Sequence, residues 1–252
     1  MKQSGNTILI TGGGSGIGAA LAQRFADLGN TVIVAGRRQD ALDATIAGHA
    51  NMAAMTLDID SADAIEAFAR DLIAAHPGLN IVVNNAGIMR NEVLDRRRDL
   101  ADAEATIITN LLGPIRLTNA LIDHLTAQPD AAIVNVSSGL AFVPFTGAPV
   151  YSATKAAIHS YTLSLREALK GKVELIELVP PAVQTGLTPG QESAKGYLPL
   201  AAFVDEVMAL FAQTPTPPEI LVDAVRFLRN AEADGAVGER VGQIAAFVAQ
   251  SR

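Results

Sequence analysis

Tyr151 and Lys155, in "YSATK", stand four apart at the start of a segment with helical patterning, so both side chains face one side of a single turn. A phenol with an ordinary pKa near ~10 is a poor base at neutral pH, but a fixed ammonium beside it favours the phenolate and lowers that value. A tyrosine so placed becomes a general acid or base. Just upstream, "VNVSS" ends a β-branched run on Ser137 and Ser138, two hydroxyls that can donate to a reacting oxygen. None of this needs a metal. His49, His76, His124 and His159 show no ligand spacing, and the absence of cysteine excludes disulfides, thiolate nucleophiles and cysteine-ligated zinc.

A second constellation is "ITGGGSGIGAAL", with Gly12, Gly16 and Gly18 between an apolar run and a helical segment. Side chains at those points would keep a pyrophosphate off the backbone, and the helix N-terminus beyond offers free N–H groups and a positive dipole end. A plain glycine turn is the alternative, and the strand, loop and helix context favours the phosphate site. A P-loop is excluded, since no Lys-Ser/Thr pair follows the glycines.

These residues need elements to position them. Runs rich in β-branched residues recur at 7–11, 31–35, 52–58, 80–84, 131–137 and 173–179, each reading as a strand buried on both faces. Ala/Leu-rich helical patterns lie between them, so the spacing predicts an α/β chain with a mostly parallel sheet and helices on both faces. Gly29 closes the first helix, Ser61 caps the third, and Pro77 with Gly78 ends it. No linker divides the chain, and residues 1–252 read as one domain. Segments 86–99 and 180–200 break the alternation at the carboxyl edge of the sheet, where ligands bind in such folds. The second opens a region, 180–215, expected to be a substrate-binding loop or lid.

The net charge of −7 gives no overall field for nucleic acid, and "RRR" at 96–98, flanked by Asp95 and Asp99, reads as a solvated helix start. No apolar run is long enough to span a membrane, and the first residues lack the apolar stretch of a signal peptide. A cytoplasmic protein with small-molecule partners or copies of itself is expected.

Taken together, "TGGGSGIG" at 11–18, "NNAG" at 84–87 and "YSATK" at 151–155 resemble, in order and over nearly the whole chain, the short-chain dehydrogenase/reductase family. More narrowly, "ELVPPAVQTGLTPGQ" looks like its DltE-like branch. The resemblance implies a Rossmann-like doubly wound fold and a catalytic tetrad of Asn110, Ser138, Tyr151 and Lys155. It also implies hydride transfer between a nicotinamide and a carbonyl or alcohol carbon. Ser138 would polarise the carbonyl, Tyr151 would deliver the proton, and Lys155 would lower the tyrosine pKa and hold the nicotinamide ribose. Asn110 would hold a water joining Lys155 to solvent. By the same resemblance Gly12, Ser15, Gly16, Ile17 and Gly18 cradle the cofactor, Asp58 meets the adenine amino group with Ile59 beside the ring, and Asn85, Ala86 and Gly87 line its path. Asn84 braces the strands. Pro181, in a Pro180-Pro181 pair where the family usually has Pro-Gly, precedes Val183 and Thr185, which match contacts of the nicotinamide carboxamide.

"TVIVAGRRQD" bears on which dinucleotide is bound. An acid at 36 would bind both ribose hydroxyls and repel a 2′-phosphate, but the chain has Gly36, followed by Arg37, whose guanidinium suits a phosphate in charge and donor geometry. With Arg38 and Ser15 as helpers, NADP(H) is expected in preference to NAD(H). Met89, Leu140, Phe142, Phe145, Leu187 and Tyr197 are expected to line a largely apolar pocket for a small to medium ketone, aldehyde or secondary alcohol. Arg90 or Lys195 would serve an anionic substrate instead. His159 is expected to pack in the core or at an interface. A cofactor-binding sensor without turnover, and epimerisation or dehydration by the same tetrad, are the competing readings. By the same resemblance the helices near 101–126 and 151–169 would pair subunits, so a homodimer is expected, with a tetramer as the alternative, because residues after 229 read as a loop and short helix with no seventh strand.

Overall fold

The computed structural model describes residues 1–250, with side chains followed through 246 in the last helix. The β-branched runs become β1 (Thr7–Thr11), β2 (Thr31–Gly36), β3 (Met52–Thr56), β4 (Leu79–Asn84), β5 (Ala132–Val136) and β6 (Glu174–Leu178), joined by a short β7 (Glu219–Ile220). All pair in parallel, in the order β3-β2-β1-β4-β5-β6-β7. The order reverses between β1 and β4, which opens a crevice beyond their carboxyl ends. The helices are α1 (Gly16–Asp27), α2 (Gln39–Ile46), α3 (Ala62–Ala75), α4 (Ala101–Ile107), α5 (Gly113–Thr126), α6 (Pro149–Ala168), α7 (Leu200–Phe211), α8 (Asp223–Arg229) and α9 (Val237–Gln250). None is long and apolar enough to cross a membrane among the described residues.

Strand alternation divides the core into two layers. Ile8 and Ile10 pack with Phe25 of α1 and Phe203 of α7 on one face, while Leu9 packs with Phe68 of α3 and Leu117 of α5 on the other. Each such side chain removed from water contributes about 1.5–3 kcal/mol before chain entropy is subtracted. As expected, the Ser61 hydroxyl caps α3, accepting from the Ala64 N–H at 3.2 Å.

Four expectations need correction. β3 is not buried on both faces: it is the outer strand, and Ala53, Ala54 and Met55 are only half-buried. A seventh strand exists, ahead of the region expected to lack one. It is held by Glu177 N–H to Pro218 O and Val179 N–H to Ile220 O, and two residues are too few for a period to show. The irregular segment after β6 stops at Pro199, because Phe203, Val204, Val207 and Phe211 form a buried stripe that makes α7 a core helix. The "RRR" segment likewise precedes the helix without entering it.

A row of buried polar residues crosses the sheet. Asn84 stands opposite Asn135, Asn135 opposite Glu177, and Glu177 opposite Glu219. Asn84 donates to Asn135 Oδ1 at 2.8 Å, Asn135 donates to Thr162 Oγ1 of α6 at 2.9 Å, and Glu177 Oε2 lies 2.7 Å from His159 Nδ1 of the same helix. Glu177 is fully buried, so removing the ring strands a carboxyl group in the interior. His159→Leu is expected to cost ~3 kcal/mol in urea unfolding, most of it recovered by adding Glu177→Met. If the single variant is as stable as the parent, the pair does not hold the helix.

Candidate active site

The first two turns of α6 carry Tyr151 and Lys155, both buried. Lys155 Nζ lies 5.6 Å from the Tyr151 ring centroid and donates to Val136 O at the end of β5, at 2.8 Å. Ser138 follows β5 in an extended conformation and accepts from the Leu140 N–H at 3.1 Å. Its hydroxyl lies close enough to the Tyr151 phenol to lower the pKa of that group. Ser137 is buried without a hydrogen-bond partner for its hydroxyl, and only Ser138 of the pair reaches the cavity beside Tyr151. Asn110 sits in a π-helical turn, Ile108–Leu112, between α4 and α5, a local widening often found at functional sites. Its amide accepts from Ile88 N–H and donates to Ile88 O, both at 2.8 Å, and to Thr154 Oγ1 at 3.3 Å. A Cβ added to Gly87 would lie 3.3 Å from Asn110 Oδ1 and 3.7 Å from Lys155 Nζ, so that glycine borders both groups closely.

Burial governs the proton affinities here. It pushes the Tyr151 phenol up to about 12, with the Ser138 hydroxyl pulling the other way, and it lowers Lys155 to about 8. The expected lowering of the tyrosine by Lys155 is therefore not the state of this arrangement. The interior penalises the phenolate and the ammonium alike, and the lysine directs its proton at Val136.

A cleft of about 190 Å³ opens beyond β1 and β2, lined by Gly12, Gly14, Ser15, Arg37 and Arg38, with Ile59 on its wall and Ala86 and Gly87 beyond. The backbone can pass closely there only because of two glycines. A Cβ on Gly12, whose φ is +65°, would lie 2.9 Å from Ala86 Cα, and one on Gly18 would lie 2.4 Å from Gly12 O. Asn85 braces the loop from behind, donating to Thr11 O at 2.9 Å, while Thr11 Oγ1 accepts the Asn85 and Ala86 N–H groups. Gly16 and Ile17 open α1 outside the cleft walls, and Thr185 hangs over the loop: a Cβ on Gly16 would lie 3.4 Å from its Cβ. Asp58 is exposed and accepts the Asp60 N–H without lining the cleft. Sequence reasoning missed Asp60, which pairs with Arg37 at 3.6 Å and accepts from Thr109 Oγ1 at 2.6 Å; Gly14, within the glycine run, was the one legible omission.

A larger cavity of about 850 Å³ has Ser138 and Tyr151 on its floor. Met89, Leu140, Phe145, Leu187 and Tyr197 line it, as does Pro181, while Val183 is buried beside it in a bridge with Leu198. Phe142 does not. The turn after Ser138 carries it away, its ring edge-on to His159 with centroids 4.8 Å apart and with Arg229 stacked over it at 4.6 Å. Neither Arg90, paired with Asp102 at 3.6 Å, nor the exposed Lys195 reaches the cavity. Among the described residues, no Asp, Glu, Lys, Arg or His lines it. His159, Glu177 and Glu219 bring ligand-type atoms within 4.8 Å of one another, but Arg229 grips both oxygens of Glu219 and the ring faces Glu177.

The sequence model described as short chain dehydrogenase matches residues 6–196. The chain is 41% identical to "Uncharacterized oxidoreductase DltE" of Bacillus subtilis (strain 168) over 78% of its own length and 79% of that protein. It is 31% identical to "NADP-dependent 3-hydroxy acid dehydrogenase YdfG" of Shigella flexneri over 71% of its length and 73% of that protein. Among solved structures it resembles the closed form of a serine dehydrogenase complexed with NADP+, with a TM-score of 0.75 and 27% identity, covering 84% of this chain and 90% of that one.

The buried ammonium makes a stability prediction. A Lys155 pKa lowered from 10.5 to about 8 means the folded state disfavours the charged form, a cost fully present below pH 8 and relieved as pH rises from there towards 10.5. Lys155→Met removes that cost, on the order of 3 kcal/mol, and loses one hydrogen bond worth about 1. The variant should thus be more stable than the parent by ~2 kcal/mol at pH 7, with the gap closing by pH 10 in chemical denaturation. A gap independent of pH would refute this account of the lysine.

Proposed function

The chain belongs to the short chain dehydrogenase family, and from that premise we propose that it is an NADP(H)-dependent oxidoreductase acting on a neutral, largely apolar ketone, aldehyde or secondary alcohol. One observation carries the reading: the Ser138 hydroxyl meets the Tyr151 phenol on the floor of an apolar cavity, with Lys155 one helical turn behind. The glycine cleft fits a dinucleotide, since Gly12 and Gly14 on its wall place no side chain between backbone and phosphate. Bound there, the nicotinamide would supply or accept the hydride.

The remaining work belongs to the chain's own groups. Ser138 directs its hydroxyl at the substrate oxygen and polarises it. Tyr151, kept protonated by burial, is set to donate its phenolic proton to that oxygen in the reducing direction. Lys155 orients the nicotinamide ribose, and its charge favours the phenolate left behind. Asn110, with one lone pair of Oδ1 engaged by Ile88, keeps the other for a water reaching Lys155 beside Gly87. The largely apolar walls, with no ionised group among their described residues, favour a neutral substrate over the hydroxy acid and the serine named for two of the relatives.

Arg37 and Arg38 at the cleft, with Gly36 in place of an acid, support NADP(H) over NAD(H), and Arg37 would exchange Asp60 for the 2′-phosphate. Leu100, Ile107 and Leu163 expose apolar surface around the neighbouring α4 and α6, which suits a second copy and a homodimer.

Tyr151→Phe is expected to lower kcat for NADPH-dependent ketone reduction by ~10³ while leaving NADPH affinity within about twofold. Retained turnover would remove the tyrosine from the chemistry. Arg37→Ala should raise KM for NADPH by ~10-fold or more and leave KM for NADH nearly unchanged. Equal losses with both cofactors would show that Arg37 does not read the phosphate.

A further inference from the structure

The far wall of the substrate cavity is built by the C-terminal helices α8 and α9, through Ala224, Phe227 and Leu228 on the first and Gln243 and Ile244 on the second. Both lie outside the stretch of chain matched by the family's sequence model. Ile244 packs against the cluster of Phe145, Ala148 and Tyr151, so one aliphatic side chain of α9 borders the group proposed to transfer the proton.

The helix is lightly anchored. None of its described side chains, from Val237 to residue 246, is fully buried. Arg240 clamps it to α8, stacking 4.6 Å from the Phe227 ring and donating to Phe227 O and Asp234 Oδ2, each at 2.6 Å. Ile244 supplies the apolar contact at the cavity end. A change confined to one half-buried side chain of α9 can reshape this wall without disturbing the sheet or the start of α6.

We infer that α9 is the substrate-selecting wall of this protein and that Ile244 limits how far an aliphatic chain extends beyond the reacting carbonyl. The inference rests on the carbonyl reading above and adds the residue that sets its size limit. Ile244 touches the cluster around Tyr151 from outside the tetrad, so changing it should alter which ketone is preferred while the proton transfer itself persists. Opening the wall admits longer chains, and filling it excludes them.

The test uses the full chain with NADPH and a series of unbranched methyl ketones from 2-butanone to 2-undecanone. Ile244→Ala should shift the ratio of kcat/KM for the longest to the shortest ketone by about tenfold towards the longest, and Ile244→Trp by about tenfold the other way. Arg240→Ala, which frees α9 from α8, should flatten the preference. In parallel, the neutral fluorescent ketone 6-propionyl-2-(dimethylamino)naphthalene is titrated into each protein without cofactor. Its Kd should fall in Ile244→Ala and rise in Ile244→Trp. If no ketone is turned over by the parent, the carbonyl reading fails, and the titration still decides the wall. Unchanged ketone ratios in an active enzyme, or a probe Kd that does not move in either variant, would overturn the assignment of Ile244.

Discussion

Helix α6 is held to the sheet by polar pins, and the site depends on them. Asn135 of β5 grips Thr162, and Glu177 of β6 faces His159, respectively two turns and one turn beyond Lys155 on the same helix. Apolar contacts alone tolerate small slides along a helix axis, whereas a buried hydrogen bond is lost when its partners shift by about an ångström. The pins therefore fix the height of Tyr151 against Ser138 and of Lys155 against the end of β5. Asn84 extends the row to β4, whose next residues brace the glycine loop, so one line of buried polar side chains registers both halves of the site.

The placement has an energetic consequence. Tyr151 and Lys155 sit where the interior opposes charge on either, holding the phenol protonated and the ammonium near its limit. Burying the Lys155 ammonium costs stability at neutral pH. The same dry surroundings strengthen any electrostatic contact formed there once ligands enter.

The two cavities share a border. Ala86, Gly87 and Ile88 line the glycine cleft, and Met89 and Asn91 line the larger cavity, so one irregular segment after β4 serves both. Glu92 ties that segment to α6, accepting the Val150 N–H at 3.0 Å while its other oxygen meets Arg98. The long loop after β6 closes the opposite side, with Thr185 over the glycines and Leu187 over the cavity.

Much was legible in the sequence because it depends on local spacing. Period and β-branching marked six strands to within a few residues, the glycine run marked the turn after β1, and the interval from Tyr151 to Lys155 determined that they share a helical turn. What only the tertiary structure decided was the company each side chain keeps across the chain. Two-residue β7 has no period and exists because β6 offers it an edge. Phe142 left the pocket because His159 and Arg229, distant in sequence, form its slot. Asp60 reached Arg37, and Ile244 reached the cluster around Tyr151, through contacts that no local pattern encodes. The sequence by itself thus determined which groups can do chemistry and on which elements they ride. Burial, a property of the packed whole, decided their proton affinities and the walls of the space where they act.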